Sequence, residues 1–216
     1  MSVRSILITA GPTHEHIDAV RYLANRSSGR MGVALADAAR AAGCRVTLLL
    51  GPATIEPQAA GDELSVIRFE STADLQRLLE AQFPACDVLI MAAAVADYRP
   101  VVTTSGKLPR RGEKLVLELE PTPDLVAACA AGRRPGQCIV AFALEEPSRL
   151  AERALEKLRK KGVDAIVANP LETMGSTEVR AVVHTADGRT IAPQAPTTDK
   201  QAFADWLVRW ILAEMH

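Results

Sequence analysis

A chain of 216 residues, 48% hydrophobic and only 4% aromatic, is long enough to bury a full core as one large domain, and we expect residues 1–216 to form a single nucleotide-binding unit. Its 25 basic and 26 acidic residues leave a net charge of −1, so no global field advertises a nucleic acid or an anionic membrane as a partner. The N-terminus carries no signal-like apolar run and nothing approaches membrane-spanning length, so a cytoplasmic protein is expected.

Short β-branched and leucine-rich runs alternate with amphipathic helical stretches, the mark of a mostly parallel, Rossmann-like α/β sheet with helices on both faces. The first strand is placed at 5–9. His14-Glu15-His16 follows in a loop; with no third ligand nearby it reads as polar surface, and no metal is assigned to protein side chains. The polar stretch 18–32 then runs into a helix at 30–42, whose start at Ser27, Ser28 and Gly29 offers backbone N–H groups and a positive dipole end to an anion. If that stretch is helical, Arg21 and Asn25, four apart, project from one face towards the same site. Further strands are expected at 45–50, 66–69, 88–92, 138–142 and 165–168, with helices at 72–83, 123–131, 148–161 and 199–214. A loop-like excursion at 100–119 ends in an exposed alternating strand at 114–120, and a β-hairpin at 179–192 should add antiparallel strands at a sheet edge. Cys44, Cys86, Cys129 and Cys138 lack CxxC spacing and read as reduced packing residues.

In an open α/β sheet the ligand lies beyond the carboxyl ends of the strands. There the chain places Gly11-Pro12-Thr13, Gly51-Pro52, the run Met91 to Asp97, Phe142 and Asn169, small residues with a few polar handles. A GxGxxG fingerprint is absent because Gly29 and Gly32 stand far along the chain from the first strand, which argues against a plain nicotinamide-dependent dehydrogenase. A second helix start at Thr122-Pro123-Asp124, with Thr122 as the expected cap, offers another place for phosphate.

The ordered motifs Ile-Asp-x-Val-Arg-Tyr-x-x-Asn-x-Ser-Ser-Gly-x-Met-Gly and Ala-Ala-Ala-Val-Ala-Asp-Tyr-Arg-Pro, with Lys107, Pro123-Asp124 and 157–169, resemble the phosphopantothenoylcysteine synthetase family of coenzyme A biosynthesis. The resemblance covers nearly the whole chain. It implies a ligase joining 4'-phosphopantothenate to L-cysteine through an acyl-nucleotide, with CTP as the usual bacterial co-substrate, Mg2+ accompanying the nucleotide, and no flavin. On this match Lys107 and Asn25 are catalytic, Arg21 and Asn25 bind the phosphopantothenate end, and Gly11, Ser28, Gly29, Ala92, Ala93, Asp97, Lys107, Thr122, Pro123, Asp124, Leu125, Phe142, Lys157 and Lys161 hold the nucleotide. The excursion, about 100–120, would be the family's flap, which can be contributed across a dimer. Unpaired alternating strands there and in the hairpin point to a homodimer. A separate decarboxylase is a candidate partner.

The chain departs from the family pattern at Pro12, where a backbone donor is lost, at Ala141 and Leu144, at Pro170, and in the flap, where Lys107-Leu108-Pro109-Arg110 retains the first lysine and moves charge to Arg110 and Arg111. These changes leave the choice between CTP and ATP open. A flavin- or nicotinamide-binding oxidoreductase and a non-catalytic nucleotide-binding relative remain the competing readings.

Overall fold

The computed structural model describes residues 3–58, 63–110, 112–195 and 197–214, so Arg111, expected to assist Lys107, lies outside the described residues. Among the described residues fourteen strands and five α-helices follow one another as β1 (Ser5–Ala10), β2 (His14–His16), β3 (Tyr22–Ala24), α1 (Arg30–Ala41), β4 (Arg45–Leu50), β5 (Leu64–Arg68), α2 (Thr72–Gln82), β6 (Val88–Met91), β7 (Tyr98–Pro100), β8 (Leu119–Pro121), α3 (Leu125–Ala131), β9 (Cys138–Glu145), α4 (Leu150–Lys161), β10 (Ala165–Pro170), β11 (Glu178–Val179), β12 (Val182–Thr185), β13 (Thr190–Ile191), β14 (Thr198–Asp199) and α5 (Lys200–Glu214).

Eight strands form the central sheet in the order β13-β12-β10-β9-β6-β1-β4-β5. From β5 to β10 every pairing is parallel, while β12 and β13 are added antiparallel at one edge, as expected for the hairpin. Alternation along the strands sorts the core into two layers. Ile6, Ile8, Leu48, Ile90, Val140 and Val167 pack with α1 and α5, whereas Leu7, Leu49, Leu89, Ile139 and Ile166 pack with α2, α3 and α4. The parallel part is the doubly wound arrangement, with its topological switch between β1 and β6, the place where such sheets open a crevice for ligands.

Four expectations are corrected. The stretch around Arg21 is not helical: β2 and β3 form an antiparallel ladder from His14↔Ala24 to His16↔Tyr22, and His14 stacks on Tyr22 at 3.7 Å. Asp18 selects that turn, because its Oδ1 accepts hydrogen bonds from the N–H of Val20 (2.8 Å) and Arg21 (2.7 Å), the local competition with helix for which aspartate is suited. The exposed strand at 114–120 shrinks to β8, paired with β7, and Leu115 and Val116 stay outside any ladder, 62% and 85% exposed. The hairpin spans only β12 and β13, since Val179 pairs with Thr198 in a separate two-stranded ladder. Strands β9 and β10 run on to Glu145 and Pro170, so Phe142 and Asn169 lie within strands and not after them.

His184, on β12, is buried with its Nδ1 3.0 Å from Thr190 Oγ1, and burial lowers its pKa below 6.5. A lowered histidine lets the unfolded chain take the proton first, so this contribution to stability is held above the ordinary value and lost as pH falls through it. Denaturant midpoints should therefore drop between neutral and mildly acidic pH in the wild type, and the drop should shrink in His184→Gln.

Candidate active site

The crevice at the switch point is built on two hydroxyls, Thr9 on β1 and Thr13 just beyond its end. Thr9 Oγ1 accepts a hydrogen bond from Ala93 N at 3.1 Å, and Thr13 Oγ1 accepts one from Ala96 N at 2.9 Å. Ala92 N and Ala94 N donate to the carbonyls of Thr9 and Gly11 at 3.2 and 2.9 Å. The small-residue loop after β6 is thus held on four backbone donors before any ligand arrives. Beneath it Glu15, expected on the surface, is buried: its Oε1 accepts from Thr72 N (2.9 Å) and Thr72 Oγ1 (2.7 Å) at the start of α2. Glu15 and Thr72 escape sequence reading because each looks like ordinary surface or cap chemistry until the loop lands on it, and Thr9 and Thr13, found at the end of the first strand, carry no sequence signal for this role.

Gly11 and Gly29 both adopt left-handed backbone, φ 82° and 73°, and a Cβ on Gly29 would come within 3.4 Å of Gly11 N. The N-terminus of α1 therefore sits on the end of β1 in space although it is far from it in sequence. Gly29 is its N-cap, with no side-chain cap, so the helix start keeps the character expected of an anion site. Gly32 ends the motif because α1 crosses β1 closely: a Cβ there would lie 2.4 Å from Ala10 Cβ. Gly32→Ala should cost about 1–3 kcal/mol by overpacking, lowering Tm by roughly 2–4 °C for each kcal/mol lost, as read by thermal unfolding.

Arg21 and Asn25 flank β3 and reach different parts of the crevice. Asn25 Nδ2 donates to Val95 O at 2.8 Å, placing this amide against the loop after β6. Arg21 Nη2 donates to Leu108 O at 2.7 Å and pairs with Asp18 Oδ2 at 2.7 Å. The arm that carries Lys107 lies along the β2–β3 turn of its own chain: Thr103 Oγ1 donates to His16 O (3.0 Å), Thr104 N to Ile17 O (3.2 Å) and Leu108 N to Asp18 Oδ2 (3.0 Å). Arg21 and the Lys107 arm are brought together. Desolvation alone would raise the Asp18 carboxyl, but donors from Val20, Leu108 and Arg21 with the Arg21 charge hold it down at about 2. That stabilisation is present above the ordinary value of 3.8 and is lost as pH falls towards about 2.

The other expected nucleotide residues form a separate group. Thr122 is not the cap of α3: its Oγ1 donates to Ala96 O at 2.5 Å and its N–H to Asp97 O at 3.0 Å. Asp124 caps the helix by accepting from Ala127 N at 3.1 Å, so Pro123 precedes the cap and Leu125 is the first helical residue, buried beneath. Asp124 Oδ1 also lies 3.2 Å from Lys161 Nζ, and Glu145 Oε1 lies 2.5 Å from Lys157 Nζ. In this group a carboxylate already occupies each place where phosphate was expected, at the start of α3 and beside Lys157 and Lys161. These pairs are half-exposed and contribute little, so a polyphosphate can exchange with them. Phe142 is half-buried against the α1/α5 layer, and the Oδ1 of Asn169 is buried with no partner among the described residues.

The sequence model of the DNA/pantothenate metabolism flavoprotein C-terminal domain matches residues 1–215. The chain belongs to this family. It is 34% identical over 94% of its length to the Coenzyme A biosynthesis bifunctional protein CoaBC of Thermococcus kodakarensis, 50% of which is covered. A protein named cysteine/cysteine sulfinic acid decarboxylase, from an unknown prokaryotic organism, is 39% identical over 99% of the chain, which covers 59% of that relative. The chain thus spans between half and three fifths of the length of these curated relatives. The crystal structure of the C-terminal domain of a CoaBC protein matches with a TM-score of 0.81 at 32% identity, covering 98% of this chain and 95% of that one. The crystal structure of the DNA/pantothenate metabolism flavoprotein from Streptococcus pneumoniae has a TM-score of 0.83 at 23% identity, covering 99% of this chain and 100% of that one, a likeness of fold. The expected family and the Rossmann-like sheet are both confirmed.

Proposed function

We propose that this chain is a phosphopantothenate-cysteine ligase using a nucleoside triphosphate, with CTP as the expected co-substrate. The observation that carries the reading is the meeting of Arg21 with the Lys107 arm beside the β1/β6 crevice, where Asn25 also sits. It is supported by the CoaBC names of relatives and by the fold shared with a Cab2 variant solved with phosphopantothenate-cysteine, which matches at a TM-score of 0.80 and 17% identity over 98% of this chain and 86% of that one.

In the first step the substrate carboxylate attacks the α-phosphorus and pyrophosphate leaves; in the second the cysteine amine attacks the acyl carbon, loses a proton, and the nucleoside monophosphate leaves. Charge grows first on phosphoryl oxygens and then on the acyl oxygen, so each step needs donors already in place. Lys107 supplies the cation for the first. Asn25 supplies a donor for the second, because an amide NH2 has two hydrogens and only one is committed to Val95. Arg21 holds the anionic end of phosphopantothenate, while Gly11, Ser28, Gly29, Ala92, Ala93 and Asp97 line the nucleotide's place, with Lys157 and Lys161 exchanging their carboxylates for its phosphates. Mg2+ would accompany the incoming nucleotide as part of the substrate.

Multiple-turnover pyrophosphate release assayed with CTP and ATP side by side tests the proposal: sustained release should require both phosphopantothenate and cysteine and be faster with CTP. Release that needs neither acceptor would defeat it, and flavin absorbance in the purified protein would favour an oxidoreductase. The exposed apolar side chains of the arm, among them Val102 at 76% and Val116 at 85%, fit burial against a second copy. Sedimentation should give a dimer mass at micromolar protein; a monomer with ligands present would count against it.

A further inference from the structure

We infer that Asp18 is a positioning residue that locks Arg21 and the Lys107 arm into one fixed relation, so that the two cations of the proposed site act as a unit. The kinetic consequence rests on the ligase reading; the geometry does not. Asp18 is 1% exposed, and its two carboxylate oxygens do different work. Oδ1 closes the local turn by accepting from Val20 N and Arg21 N. A turn of this kind needs only that oxygen. Oδ2 is spent on the arm and the arginine: it accepts from Leu108 N, 90 residues along the chain, at 3.0 Å and pairs with Arg21 Nη2 at 2.7 Å.

The same Nη2 donates to Leu108 O at 2.7 Å. Leu108 is therefore read on both sides, its N–H by an anion and its carbonyl by a cation, and those two readers are bound to each other. One backbone orientation satisfies both contacts. Lys107 immediately precedes Leu108, so its Cα inherits that orientation, while Ala19 N to Gly106 O at 3.5 Å adds a weaker contact on its other side. Without the carboxylate, the Leu108 N–H and the Arg21 guanidinium would lose their common acceptor, and only the Arg21 bond to the Leu108 carbonyl would still join the two, too little to fix their relation. Asparagine at 18 is nearly isosteric but presents one acceptor oxygen and one NH2 donor, so it can close the turn or hold the arm and cannot do both.

The test compares the full chain with Asp18→Asn by limited trypsin digestion followed by mass spectrometry, a measurement that needs no substrate. Cleavage after Lys107 and Arg110 should be faster in the variant by about tenfold, with cleavage elsewhere and Tm little changed, because the loss is local. In the ligation assay the variant should lower kcat and raise KM for phosphopantothenate, leaving KM for the nucleotide within about twofold, a split that general loss of structure does not produce. Wild-type cleavage rates in the variant overturn the inference, as does a rise confined to the nucleotide KM. If the wild type shows no ligation, the ligase reading fails while the digestion still judges the lock. Should Asp18→Asn fail to fold, hydrogen exchange on the wild type decides: the Leu108 amide should exchange about tenfold more slowly than the Arg110 amide, and equal rates overturn the proposal.

Discussion

Lys107→Gln should lower turnover a hundredfold or more, the loss of about 3–4 kcal/mol that follows removal of one preorganised donor from a developing charge. The side chain is exposed, yet its neighbours Gly106 and Leu108 are tied to Ala19, Asp18 and Arg21, so the lysine projects from a held backbone. Lys107→Arg should recover little, since a planar fork does not reproduce a compact ammonium. Arg110→Gln should cost far less and mainly in substrate affinity, because Arg110 lies beyond the clamped residue. Single-turnover formation of acyl-nucleotide separates the cases, and a nearly silent Lys107→Gln would move the cation's role to the arginines of the arm.

Asn25→Ala should leave nucleotide activation working and cripple the amine step, so that acyl-nucleotide accumulates in rapid-quench samples. The reasoning is that an interaction made only with the acyl centre changes only the barrier that follows it. The variant also removes the hydrogen bond to Val95 O, but Ala92 and Ala93 are secured independently by Thr9 of β1, and Ala94 and Ala96 by Gly11 and Thr13 just beyond it, so the loop after β6 should keep its shape. Loss of nucleotide binding in this variant would show that Asn25 holds the loop and not the intermediate.

The sheet was legible in the sequence because parallel strands buried on both faces read as continuous apolar runs, and Leu7, Leu49 and Leu89 needed no knowledge of their partners to be recognised. The segment from Asp18 to Asn25 was not, for a specific reason. Residues four apart share a side in a helix and, four being even, in a strand as well, so the Arg21/Asn25 spacing does not choose between them; the Asp18 turn does. Gly29 and Gly32 stand too far along the chain from β1 to make a GxGxxG fingerprint, yet β2 and β3 form an insertion that lengthens the chain between β1 and α1 without moving α1 away. Distance along a chain misleads wherever a hairpin is inserted. Thr122 failed as a cap because its hydroxyl found a tertiary acceptor at Ala96, and the next side chain able to accept, Asp124, took over.

Helices α1 and α5 share one layer of the core, so residues of α1, such as Leu35, are covered by residues far along the chain, Phe203, Leu207 and Ile211 of α5. During synthesis that layer stays open on the ribosome until α5 has emerged. Closing contacts of such long sequence separation is entropically slow. A chain cut before Lys200 would leave the apolar side of α1 in water, and such a fragment should bind chaperones or aggregate even though every part of the proposed site has already been made.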